Sequence, residues 1–169
     1  MSEIVLIDTT VYLNILDVPG RNQNRESVKN SFDTMIAKKA AWFLLPIATI
    51  LETGNHISRL SDGNQRREYA EKMVEDVCKA LKGDLKGNPP YIATPMPESR
   101  KLIEWLNQFP DHAMRSKKDK NEGGSLSDFT IKKEWEKTCA DPFNRNRRVW
   151  IWALDSDLSS CDRTPEKGK

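Results

Sequence analysis

Short, nearly continuous apolar runs separated by stretches of helical period are what most constrain this chain. Residues 4–7 (IVLI), 42–45 (WFLL), 91–94 (YIAT) and 149–154 (VWIWAL) have the length and composition of strands buried on both faces. Between them lie segments of helical spacing: 11–16, 25–39 with Val28, Phe32, Met35 and Ile36, 65–81 with Tyr69, Met73, Val77 and Leu81, and 98–109 with Leu102, Ile103, Leu106 and Phe109. A helix over 48–60 sets Ile50, Gly54 and Ile57 on one face and Glu52, Asn55, His56 and Arg59 on the other. Another helix, over 125–138, opens on Ser125 and Asp128 in the pattern S-x-x-D that satisfies free backbone N–H groups. Strands alternating with helices predict an α/β fold, a three-layer α/β/α sandwich with a mainly parallel central sheet.

A chain of 169 residues with 37% hydrophobic content supports one core, so a single domain is expected over 1–158, followed by a disordered tail at 159–169. Twenty-seven basic against 25 acidic residues leave a net charge of +2, so overall charge gives no case for nucleic-acid binding. Any basic surface has to be local. Lys117, Lys118 and Lys120 in a charged stretch, and Arg145, Arg147 and Arg148 ahead of the last apolar run, are the candidates for phosphate contact. Cys78, Cys139 and Cys161 match no metal-binding spacing and read as free thiols of a reducing compartment. With no apolar run of about 20 residues, the chain is expected to be cytoplasmic and to have no membrane contact. The five tryptophans sit within apolar runs or helical stretches, which favours core packing over base stacking.

Two acids follow strands directly. Asp8 closes the first run and Asp155, with Asp157 close behind, closes the last. In parallel α/β sheets ligands sit at the carboxyl ends of the strands, which would bring both carboxylates to one edge. Two carboxylates there are costly to desolvate and repel each other; a divalent cation resolves both problems. Mg2+ and Mn2+ take hard oxygen ligands, keep several waters and are held by a few carboxylates together with substrate phosphates. His56 and His112 suggest no histidine-based metal site, and His56 reads as a supporting residue on the Glu52 helix.

Four segments, IVLIDTTVYLN, PIATILETGNHI, SLSDFTIKKEW and VWIWALDSDL, resemble the four acidic motifs of the PIN-domain family in order and spacing across nearly the whole chain. The resemblance implies that Asp8, Glu52, Asp128 and Asp155 converge as catalytic acids. Asp8, Asp128, Asp155 and the auxiliary Asp157 would bind Mg2+ or Mn2+. Thr10 stands where the family often has a small polar residue, and Asn55 and Arg59 lie on the Glu52 face beside any substrate. The implied activity is metal-dependent endoribonuclease cleavage leaving a 5′-phosphate and a 3′-hydroxyl. Many small members are toxins that form homodimers and are neutralised by an antitoxin protein. The chain departs from the compact pattern in a longer segment between Glu52 and Asp128, and in Lys132, Lys133, Glu134 and Trp135 where small apolar residues are common. The alternatives are a structure-specific DNA nuclease using the same acids and a nucleic-acid-binding domain that does not cleave.

Overall fold

In a computed structural model, which describes residues 2–82, 90–114 and 123–165, the apolar runs form a five-stranded sheet. Strands β1 (Glu3–Ile7), β2 (Ala41–Leu45), β3 (Tyr91–Ala93) and β4 (Val149–Trp152) are mutually parallel, and β5 (Asp162–Arg163) is antiparallel to β4. The order across the sheet is β3-β2-β1-β4-β5. The chain therefore grows outward from β1 in one direction through β2 and β3, then returns to the other side of β1 for β4. β1 is central and takes partners on both edges, which is why Val5, Leu6 and Ile7 have no exposed surface.

Alternate side chains of β1 point to opposite faces and seed two cores. Val5 and Ile7 join Phe43, Leu45, Tyr91 and Trp152 beneath helices α1 (Thr9–Leu16), α2 (Arg25–Ala37), α3 (Ile47–Ser58) and α4 (Gly63–Lys82). Ile4 and Leu6 join Val149 and Ile151 against Ile131 of α7 (Leu126–Ala140) and Leu158 of α8 (Ser156–Ser159). The result is an α/β sheet covered on both faces, consistent with the three-layer sandwich that strand and helix alternation predicts. α3 packs against α1 and against α7, so it links the helices of the two layers.

Three expectations need correction. The helix expected over 98–109 is two helices, α5 (Ser99–Leu106) and α6 (Phe109–Ala113), because Pro110 lies in the first turn of α6 and cannot continue the helix before it. The tail expected to be disordered from Ser159 is ordered through Arg163. Cys161 is buried, its carbonyl accepts from the Ile151 N–H (3.0 Å), and β5 pairs with Val149 and Trp150. Arg163 locks this strand by donating to the carbonyls of Cys139, Asn144 and Arg147, a set of bonds that leaves no apolar period in the sequence. Finally, Trp105 and Trp152 are core residues, but Trp42 is 53% exposed, since β3 pairs with β2 only from Phe43 onward. The three cysteines are free, as expected, and among the described residues no helix is long and apolar enough to cross a membrane.

Candidate active site

β1 ends at Ile7, and the next residue, Asp8, leaves the sheet in extended conformation to cap α1. Its Oδ2 accepts the Thr10 N–H (3.0 Å) and the Thr10 hydroxyl (2.6 Å), while its own N–H donates to the Trp152 carbonyl of β4 (3.0 Å). Asp8 is buried, with 2% exposure. Burial drives its carboxyl up to about 6; the Thr10 bonds oppose that rise and the nearby charge of Asp155 adds to it.

Asp155 reaches the same edge from β4. It caps α8 through a bond from the Leu158 N–H (3.1 Å), and Asp157 lies in that helix's first turn; both are exposed. The Thr10 hydroxyl joins the two loops, since it donates to Asp8 and accepts from the Leu154 N–H at 3.0 Å. β1 and β4 are the neighbours between which the strand order reverses, and this is where open parallel sheets leave a crevice at their carboxyl ends.

Glu52, in the second turn of α3, faces the start of α1 and the start of α7. Its Oε2 accepts from the Thr9 hydroxyl (3.0 Å) and the Ser127 hydroxyl (2.6 Å). Its Oε1 is 3.8 Å from His56 Nε2. Burial, with Arg21 and Arg59 nearby, pulls the His56 pKa down against the opposing effect of Glu52, so this contact is not an ion pair at neutral pH. Asp128 follows Ser127 in the first turn of α7 and is half-buried, with its N–H donated to the capping Ser125 hydroxyl at 3.0 Å. Asn55 lies exposed further along α3 and Arg59, also exposed, caps its carboxyl end.

The four acids thus stand on segments that meet, but not in one closed cluster. Asp8 and Asp155 act on each other electrostatically, and Glu52 is tied to α1 and α7 by hydroxyls. Among the described residues, no group of three or more His, Cys, Asp or Glu side chains is placed to hold a metal ion.

Arg147 and Arg148, expected to meet substrate, lie elsewhere. Arg148 binds Asp162 and Glu3 and lies over the Trp150 ring (5.0 Å), and Arg147 lies over Trp42 (5.5 Å). Both immediately precede β4, so a parallel sheet puts them at its amino edge, opposite the acids, which follow their strands. Lys117, Lys118 and Lys120 lie outside the described residues.

Sequence reasoning missed Thr9 and Ser127. Each stands beside a motif acid, and their adjacency to Asp8 and Asp128 was the only signal available. Comparison of the chain with protein-family models, with curated proteins and with solved structures found no match.

Proposed function

We propose that this protein is a PIN-like, divalent-metal-dependent endoribonuclease acting at the carboxyl edge of its sheet. The observation that carries this reading is the placement of Asp8 and Asp155 beyond the ends of adjacent parallel strands where the strand order reverses, with the Thr10 hydroxyl tying Asp8 to the Leu154 N–H beside Asp155. The donor set fits Mg2+ or Mn2+ chemically. These ions need only one or two carboxylates besides water and substrate phosphate, and the buried Asp8 carboxyl beside a second carboxylate gains most from a positive charge.

Asp8 and Asp155 would hold the ion, with Asp128 and Asp157 on the adjoining helix starts. The bound ion supplies acidification of water and relief of negative charge on the phosphoryl group. The chain's own residues supply geometry. Thr10 holds one oxygen of Asp8 and fixes the loop that carries Asp155. Glu52 keeps Oε2 occupied by two hydroxyls and offers Oε1 to orient the attacking water. Attack at phosphorus breaks the bond to the 3′-oxygen, leaving a 3′-hydroxyl and a 5′-phosphate.

The toxin reading, with a homodimer and an antitoxin partner, comes from the same resemblance. Leu51, Val74 and Leu81 on α3 and α4 are each more than half exposed and supply apolar surface for such contacts.

Labelled single-stranded RNA and DNA incubated with wild type, Asp8→Asn and Asp128→Asn test the proposal. Wild type should cut RNA with Mn2+ or Mg2+ and stop in EDTA, and each variant should lose about 100-fold or more. Equal cleavage by all three proteins overturns it. Cleavage of DNA alone transfers the activity to DNA, and binding of RNA without any cleavage leaves a non-catalytic domain.

A further inference from the structure

The Glu52 carboxylate is held by side chains from two other helices. Thr9 opens α1 and Ser127 is the second residue of α7, and both hydroxyls donate to the same oxygen, Oε2. Thr9 is buried and Ser127 half-buried, so both bonds lie where water competes weakly. A glutamate side chain has three rotatable bonds and samples many rotamers unless bonded. With Oε2 taken by two donors, Oε1 is the oxygen left for a water.

We infer that Ser127 is a positioning residue: its hydroxyl fixes the Glu52 carboxylate in the orientation that meets the attacking water. The inference rests on the proposed role of Glu52. Its chemistry is specific, because a hydroxyl donating to a carboxylate is a charge-assisted bond and a methyl group cannot replace it. The same bond ties the first turn of α7 to α3.

The test compares wild type with Ser127→Ala, Ser127→Thr, Glu52→Gln and the Ser127→Ala/Glu52→Gln double variant on labelled RNA with Mn2+, and measures RNA affinity in EDTA. Ser127→Ala should lower kcat about tenfold or more, with KM and the EDTA affinity unchanged. Ser127→Thr should restore the rate, and Ser127→Ala should cost nothing further once Glu52 is Gln. If the alanine variant fails to fold, Ser127→Cys, which keeps the size and loses the strong donor, is read in the same way. A wild-type kcat in Ser127→Ala overturns the inference. So does a loss seen in RNA affinity, a failure of threonine to rescue, or an additive loss in the Glu52→Gln background. Glu52→Gln cleaving at the wild-type rate overturns the role of Glu52 itself, and that outcome is separate from the behaviour of Ser127.

Discussion

A buried carboxyl group that holds its proton more tightly in the fold than in the unfolded chain makes stability depend on pH, and Asp8 is such a group. Burial raises its pKa from 3.8 to about 6. Asp8 therefore binds its proton more tightly in the folded state than in the unfolded chain, so the stability it contributes in the metal-free protein is present below about pH 4 and is lost as pH climbs to about 6. Asp8→Asn removes the ionisable group and still caps α1, since Asn and Asp are equivalent at that position. In EDTA at pH 7.5 the variant should be more stable than wild type, by as much as about 3 kcal/mol for a shift of roughly two units. At pH below 4 the gain should vanish. Denaturant unfolding at the two pH values measures this, and an Asp8→Asn protein less stable at pH 7.5 would contradict it. A gain in stability with a loss of cleavage would mark Asp8 as a residue kept for chemistry at the expense of the fold.

Elements were legible where burial is continuous and obscure where side-chain bonds decide. β1 and β4 could be read because strands covered on both faces leave unbroken apolar runs, and Asp8 and Asp155 could be placed because each follows such a run. β5 could not be read, since two residues held by Arg163 and one buried cysteine have no period. Arg148 illustrates a different failure. Its charge suggested phosphate, but its place ahead of β4 already assigned it to the far edge, where it pairs with Glu3 and Asp162. The Thr10 hydroxyl likewise links the β1 and β4 loops, beside the bond from the Asp8 N–H to the Trp152 carbonyl. Thr10→Val removes that hydroxyl and its bond from the Leu154 N–H, which lies where water can take its place, so losing this bond should cost about 0.5–1.5 kcal/mol. Amide exchange at Leu154 should accelerate and RNA cleavage should fall, while Thr10→Ser should preserve both. Unchanged exchange in Thr10→Val would show that the two loops are held by something else.

At the scale of the whole molecule the sheet has two chemically different edges. The amino edge carries closed ion pairs and stacked rings: Arg148 with Glu3 and Asp162, and Arg147 over Trp42. The carboxyl edge carries Asp8 and Asp155, whose charges reinforce rather than cancel each other, with Glu52 held nearby by hydroxyls. Parallel strands account for the separation, because whatever follows a strand collects at one edge and whatever precedes it at the other. We propose that the carboxyl edge serves to hold a divalent ion. Calorimetric titration of Mn2+ into metal-free wild type, Asp8→Asn, Asp155→Asn and, as an amino-edge control, Arg147→Ala tests it without any substrate. Wild type and Arg147→Ala should bind Mn2+ and both aspartate variants should lose it; equal binding by all four proteins, or by none, would rule out a metal site at this edge.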